Sequence, residues 1–276
     1  MGLSLPLAVA VFGAGALAGG VGGLLGIGGG VLLVPLLNLG LGFPLRTAAA
    51  ISLATVIAAS SSVAAGRVGA DVINLRLGTV LEATTVAGSL AGGLLAHRFA
   101  EPSLQRLFAV MAIVIAAAVF ARANRRNVIR DETIDPGRLG GRFHDPESRG
   151  LVSYRVRRLP LALGASFVAG GVSSLLGVGG GIVNVPVLNA WCGVPLRVAS
   201  STSAYMIGVT ALSGAIIYYG RGDLAPLVAA PAVLGVQLGS RAGLLVADRA
   251  PAMWLKILLA VILLIVAALM FARSLA

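Results

Sequence analysis

GGVGGLLGIGGGVLLVPLLNLGLGFPLR, residues 19–46, is an apolar run with four glycines in the five positions from Gly26 to Gly30. Glycine loses more backbone freedom on ordering than any other residue and is a poor helix-interior residue, so the run predicts a helix that breaks and restarts. Sliding the chain along itself by 151 positions lays residues 170–197, GGVSSLLGVGGGIVNVPVLNAWCGVPLR, beneath it without a gap, and 17 of the 28 positions are identical. Leu24-Leu25-Gly26 falls on Leu175-Leu176-Gly177, Gly28 to Gly30 on Gly179 to Gly181, and Val34-Pro35, Asn38, Gly42 and Pro44-Leu45-Arg46 on Val185-Pro186, Asn189, Gly193 and Pro195-Leu196-Arg197. A bias toward alanine and leucine does not produce a matched pattern of glycine, proline, asparagine and arginine. The chain reads as two homologous halves, 1–122 and 159–276, joined by a linker, 123–158.

The surroundings of these stretches place both halves in a membrane. Of the 276 residues 58% are hydrophobic and only 11% charged, and the mean hydropathy is +0.97. Soluble domains carry about 25% charged residues. Apolar segments recur at 4–40, 45–65, 77–96, 103–121, 159–191, 196–219, 224–247 and 253–272, most near the ~20 residues a helix needs to cross a bilayer core. The two-residue alternation of a transmembrane barrel is absent, and helices satisfy their own backbone in lipid. The expected fold is therefore all-α: a polytopic integral membrane protein of two helical repeats, each opening with a broken, glycine-rich helix. The first twenty residues lack the basic start of a signal peptide and their apolar run continues, so they are expected within the fold.

The net charge of +11 does not point to nucleic acid. Ten of the 21 basic residues and five of the ten acidic ones lie in 122–158, and basic segments beside spans stay in the cytoplasm; a lipid-headgroup role is the lesser reading. A cytoplasmic linker and an inner-membrane location follow as expectations. Four spans per half would make the halves parallel. If each broken helix re-enters, three remain and the halves are inverted. Inversion puts Arg67, Arg76, Arg197, Arg241, Arg249 and Lys256 on the linker side, and the positive-inside rule favours it.

Cys192 is the sole cysteine, which excludes an internal disulfide and leaves no cysteine-based metal site; no cofactor is expected. GAGALA at 13–18 satisfies a dinucleotide fingerprint in letters only, because that motif must follow a strand. Small-residue helix packing accounts for Gly13, Gly15 and Gly19. It does not account for the consecutive glycines Gly28, Gly29 and Gly30, or Gly179, Gly180 and Gly181. Repeats with discontinuous helices in matching positions build transporter sites near the bilayer midplane. A helix restarting there turns free N–H groups and the positive end of its dipole inward, and such an end suits an anion.

The doubled LLG(I/V)GGG(V/I)xxVP(L/V)LN motif, with PLR beyond it, resembles the TauE/SafE family of membrane permeases. The resemblance covers both halves but not the linker. It implies a bacterial inner-membrane carrier, an exporter, of sulfur-containing anions such as sulfite, sulfoacetate and other organosulfonates.

Several side chains are candidates to hold such an anion. Arg46 and Arg197 share one repeat position, and a guanidinium fork suits a sulfonate; the alternative is that each snorkels to the interface. Asn38 and Asn189 are matched as neutral donors at membrane depth; the alternative is helix capping or interhelical bonding. Ser200, Ser201, Thr202 and Ser203 crowd one turn after Arg197, and Ser60 to Ser62 form a looser group; each can instead bond its own helix. Glu82 and Arg241 are ionisable groups inside apolar spans, and Glu82 is the candidate for carrying a coupling proton, unless its position near Arg76 leaves it solvated. The expected partners are a small sulfur-containing anion, the bilayer and protons. A passive anion channel is the second reading. A membrane-embedded enzyme is the third, weakened because neither H-E-x-x-H nor G-x-S-x-G occurs and His97 and His144 lie at a loop edge and in the linker. No P-loop supports ATP-driven pumping.

Overall fold

A computed structural model describes residues 4–25, 29–66, 73–121, 135–145, 150–247 and 252–275. In chain order its elements are α1 (Leu5–Leu25), α2 (Gly30–Pro35, continued by a π-helical turn over Leu36–Gly40), α3 (Leu45–Gly66), α4 (Leu75–Ala96), α5 (Glu101–Ala121), β1 (Gly141–Asp145), β2 (Gly150–Tyr154), α6 (Leu159–Leu176), α7 (Gly181–Ala190), α8 (Leu196–Gly220), α9 (Pro226–Ala247) and α10 (Ala252–Arg273). Among the described residues, four helices are long and apolar enough to cross a membrane: α1, α4, α6 and α8. The outer surface is apolar as well, with Leu17, Val114, Ile216 and Leu234 each more than half exposed. Such a skin needs lipid rather than water against it. The protein is a helical, multi-pass membrane protein.

The α2 helix is short for a local reason. Pro35 sits inside it and has no N–H to give the carbonyl one turn back, and the chain widens into the π turn directly afterwards. Pro186 holds the equivalent place in α7.

Glycines set how the long helices meet. At Gly15 and Gly19 a Cβ would strike the backbones of Ala232 and Val236, and at Gly235 and Gly239 those of Phe12 and Ala16, so α1 and α9 lie backbone to backbone. Gly88, Gly92 and Gly170 do the same for α4 and α6, against Phe167, Gly171 and Thr85. This is small-residue packing of membrane helices. Gly13, by contrast, has nothing within 4 Å of its would-be Cβ, so packing does not explain it. These contacts come in sets separated by the repeat offset: the Gly19–Val236 contact becomes Gly170–Thr85 when 151 is added to the first number and subtracted from the second, and Ala16–Gly239 becomes Phe167–Gly88.

Helix directions follow from the same approaches. Leu53 lies by Gly214 and Ser60 by Gly208, so α3 and α8 run antiparallel. Gly78 lies by Thr202 and Gly93 by Ile217, so α4 and α8 run parallel. Arg46 at the start of α3 is consequently near Tyr218 at the end of α8, and the field of its charge reaches that ring. The starts of α3 and α8 lie at opposite faces of the bundle.

The linker carries structure that its polar composition hid. Strands β1 and β2 pair antiparallel, Gly141 opposite Tyr154 and Phe143 opposite Val152. Phe143, Val152 and Tyr154 are buried in one cluster with Leu188, Cys192, Val194 and Leu77, so the hairpin is seated over the α7–α8 connection and the start of α4. The bundle is therefore all-α with one added hairpin. Residues 122–134 and 146–149 of this region lie outside the described residues.

Candidate functional site

The two helix breaks fold back on the helices that precede them. A Cβ on Gly29, which precedes α2, would sit 3.3 Å from the backbone of Ala18. On Gly180, which precedes α7, it would sit 3.2 Å from Ala169. Residues 18 and 169 again differ by 151. In the second break Gly177 and Gly179 have φ of +68° and +84°, a left-handed backbone that glycine adopts without strain. Gly28 lies outside the described residues.

The second break also touches the first half. The Ser52 hydroxyl on α3 donates to the Gly177 carbonyl at 2.6 Å, with the Gly30 carbonyl at 3.2 Å. A Cβ on Gly30 would meet the Gly177 oxygen, Ser52 Oγ and Val56 at 2.9 Å each, and one on Gly177 would lie 2.6 Å from the Ala49 Cα. On the other side, a Cβ on Gly181 would sit 2.5 Å from Ile207 and 3.2 Å from Ser203 Oγ. Gly30, Gly177, Gly179 and Gly181 thus gather between the middles of α3 and α8, with backbone leaving no room for a side chain at the first two.

Three buried hydroxyls have no hydrogen-bond partner: Ser203, against Gly181, and Ser173 and Ser174 in the last turn of α6, where the Ser174 oxygen lies against Gly93 and Gly214. Leaving a buried polar group unmade costs about 1–3 kcal/mol, so each of these hydroxyls marks a place where a partner is missing. Ser203 sits at the repeat position of Ser52. The two serines are used differently, since Ser52 is spent on the first break's contact with Gly177.

A polar layer lies beside this centre. The Thr210 hydroxyl of α8 donates to Glu82 Oε1 on α4 at 3.0 Å, and Ser89 Oγ donates to the Thr210 carbonyl at 2.8 Å. The second Glu82 oxygen, Oε2, is buried without a partner. Thr210 is seven residues from Ser203 on the same helix, about 10 Å along its axis.

The remaining side chains singled out from sequence are spread more widely. Arg46 donates to the Ala96 carbonyl at 3.2 Å and the Phe99 carbonyl at 2.6 Å, tying its charge to the carbonyl end of α4, where the helix dipole favours a cation. Arg197 lies exposed at the start of α8, at the other face. The structure does not bring the two arginines together. Asn38 donates to the Phe43 carbonyl at 2.7 Å and Asn189 to the Val194 carbonyl at 3.0 Å, so each amide closes the loop after its half-helix in the same way. Of the hydroxyl cluster, Ser200 is half-buried, Ser201 donates to the Arg197 carbonyl at 2.8 Å, and Thr202 accepts the Asn74 N–H at 3.0 Å. Only Ser203 reaches the glycines. Arg241 is exposed.

The family model described as "Sulfite exporter TauE/SafE" matches residues 11–270. The chain belongs to the TauE/SafE family. It is similar to the "Probable membrane transporter protein YunE" of Bacillus subtilis (strain 168), with 25% identity over 236 residues that cover 83% of this chain and 84% of the relative. No solved structure matches it. Membership of TauE/SafE makes the protein a membrane transporter.

Within this TauE/SafE chain, sequence reasoning passed over several polar residues. Ser52 lies in AAAISLAT, where nothing but its alignment with Ser203 sets it apart. Glu101 accepts the Leu45 N–H at 2.8 Å, capping α3 from 56 residues away. Asn74 is the hub of the linker face: its Oδ1 accepts the Leu77 N–H, and its Nδ2 donates to the Leu139 carbonyl at 2.7 Å and to Tyr154 Oη at 2.8 Å. Burial pushes the Tyr154 phenol up, and the Asn74 bond opposes it. An Asn-x-x-Leu helix start was the available signal for the cap. A groove lined by Val9, Phe12, Leu227 and Leu234 is apolar and on the outside of the bundle between α1 and α9, so it has no part in binding an anion.

Proposed function

We propose that this protein is a secondary transporter that exports a small sulfur-containing anion, such as sulfite, sulfoacetate or another organosulfonate, across the bacterial inner membrane, with the linker in the cytoplasm. The anion binds between the two glycine-rich breaks, Gly28 to Gly30 and Gly179 to Gly181. The observation that carries this reading is the meeting of the breaks at Ser52 and Gly177, with the unpartnered hydroxyl of Ser203 beside the start of α7 and those of Ser173 and Ser174 in the last turn of α6. Free N–H groups, a positive helix end and unsatisfied hydroxyls are all donors, and an anion supplies what they lack. Glycine lets the ligand reach the backbone.

The two halves act as inverted repeats. The antiparallel run of α3 against α8, and the exchange of equivalent contacts at the 151-residue offset, support that relation. Rocking one repeat against the other about such a site is the common route to alternating access. Arg46 and Arg197, one at each face, draw anions to the two mouths rather than filling the centre. Asn38 and Asn189 hold the half-helices in place. Ser200, Ser201 and Thr202 support the start of α8, and Glu82 with Thr210 carries the coupling proton.

The test is binding. Purified protein in lipid nanodiscs is titrated with sulfite and sulfoacetate, and binding is read by calorimetry. Ser203→Ala is expected to weaken the anion about tenfold, the ~1.4 kcal/mol of one hydrogen bond to a charged group. Binding of neither anion by a folded wild type would contradict the substrate class, and full-strength binding by Ser203→Ala would contradict the site.

A further inference from the structure

The folded part of the linker gathers arginines at one spot. Phe143, Val152 and Tyr154 bury the hairpin against the connection between α7 and α8, and this fixes the chain on either side of the strands. The Arg157 N–H donates to the Cys192 carbonyl at 2.9 Å. The Arg155 carbonyl lies 3.4 Å from where a Cβ on Gly193 would stand, and Arg155 Nε lies 3.8 Å from the same point on Gly137, the residue before Arg138. The charge of Arg158 reaches the Cys192 thiol. Arg138, Arg155, Arg157 and Arg158 therefore stand around the α7–α8 loop, and all four are exposed. Asp135, exposed beside them, has Oδ1 engaged with the Gly137 N–H at 3.1 Å. The cluster keeps a net positive charge.

Two apolar neighbours set its depth. Trp191, which ends α7 in the same loop, is 56% exposed, and Leu161, one turn along α6 from Arg158, is 41% exposed. Tryptophan collects where lipid headgroups meet hydrocarbon, and an exposed leucine on a spanning helix faces acyl chains. The arginines thus stand just outside the hydrocarbon, at the level of the lipid phosphates. A guanidinium bonds two phosphate oxygens at once, and each basic residue close to an anionic surface strengthens binding about fivefold. The opposite face is mixed: its exposed Arg98 and Arg221 share it with the carboxylates of Glu101 and Asp223.

We propose that the hairpin and the α7–α8 loop form a docking site for the phosphate headgroup of an anionic phospholipid, held by Arg138, Arg155, Arg157 and Arg158 with Trp191 at the edge of the acyl chains. Charge complementarity selects an anionic headgroup, and the exposed tryptophan and leucine select a molecule that carries chains. The site lies on the loop that ends α7, the half-helix whose start at Gly181 borders the candidate anion site.

The experiment uses no transported anion, so its outcome is separate from that of the transport reading. Full-length protein in neutral detergent carries Trp254→Phe, which leaves Trp191 as the sole tryptophan. Its fluorescence is followed while dioctanoyl phosphatidylglycerol, dioctanoyl phosphatidylcholine or glycerol phosphate is added at low salt. Phosphatidylglycerol should bind about tenfold or more tightly than phosphatidylcholine, which has the same chains and no net charge, and glycerol phosphate should bind more weakly than phosphatidylglycerol by a similar factor. Arg155→Gln/Arg157→Gln/Arg158→Gln should abolish the preference between the two lipids. Arg155→Gln alone should weaken phosphatidylglycerol about fivefold, which keeps the test decisive if the triple variant fails to fold. Arg98→Gln/Arg221→Gln, at the opposite face, should leave the preference intact. Equal binding of the two lipids, no response of Trp191 to either, or a preference that survives loss of the loop arginines overturns the lipid site. Glycerol phosphate binding as tightly as phosphatidylglycerol also overturns it, because the patch would then hold a soluble anion.

Discussion

Gly177→Ala is the substitution whose cost the structure states most sharply. The position has φ of +68°, and a left-handed backbone costs an L-residue about 1–2 kcal/mol. Its new methyl carbon would stand 2.6 Å from the Ala49 Cα, 2.8 Å from the Ala49 oxygen and 3.0 Å from the Ala49 Cβ. Two of those atoms are backbone in the middle of a packed helix, so relief requires moving α3, and overpacking of this kind costs about 1–3 kcal/mol. The sum, about 2–5 kcal/mol, is a large part of the 5–15 kcal/mol or so that holds a folded domain together. Gly13→Ala is the matched control, because nothing lies within 4 Å of that would-be methyl. Exchanging glycine for alanine in an open helix interior should stabilise by about 0.5–1 kcal/mol. Both variants are unfolded in mixed micelles by increasing SDS, with helix content followed by circular dichroism. Gly177→Ala should unfold well before the wild type and Gly13→Ala slightly after it. A Gly177→Ala midpoint equal to the wild type would refute the claim that the breaks are packed against the first half at this point.

Three further outcomes follow from other parts of the molecule. Glu82→Gln keeps an oxygen for the Thr210 hydroxyl but cannot carry a proton, so anion counterflow should survive while dependence of net flux on a pH gradient is lost, as measured in proteoliposomes with and without that gradient. Arg46→Gln removes a cation from the carbonyl end of α4; the unfolding midpoint should fall by the equivalent of about 1 kcal/mol while calorimetric anion affinity stays within about twofold. Burial pushes the Cys192 thiol up, with the Arg158 charge opposing, so at a given pH it holds less thiolate than a free cysteine. Maleimide labelling should accordingly be slow at neutral pH and rise only above the ordinary thiol value of about 8.5, and Asn74→Ala, which cuts the hairpin's ties, should speed it.

What could be read from the residues alone was what has a local cause. Glycines too dense for a helix and prolines that cannot donate put the ends of α1, α2, α6 and α7 within a few residues of the expected breaks. What escaped depends on partners far along the chain. Arg46 reads as a free cation, yet its acceptors are the carbonyls of residues 96 and 99, and Ser52 is one serine among alanines until the carbonyl 125 residues away arrives above it. Asn38 and Asn189 read as paired donors, and the carbonyls they reach, of Phe43 and Val194, lie across loops whose shape the sequence does not state. The hairpin eluded the eye because its apolar alternation is only three residues deep, Phe143, Val152 and Tyr154, amid arginines that mark the segment as solvent-facing.

The most direct measurement on the whole account is counterflow in proteoliposomes. Vesicles are loaded with unlabelled sulfite or sulfoacetate, labelled anion is added outside, and uptake is followed for wild type and Ser203→Ala. A carrier with its site between the breaks should accumulate label transiently above equilibrium, and the variant should do so only at roughly tenfold higher anion. Simple equilibration without overshoot would mean a channel, and an undiminished overshoot in Ser203→Ala would mean that the anion is held elsewhere.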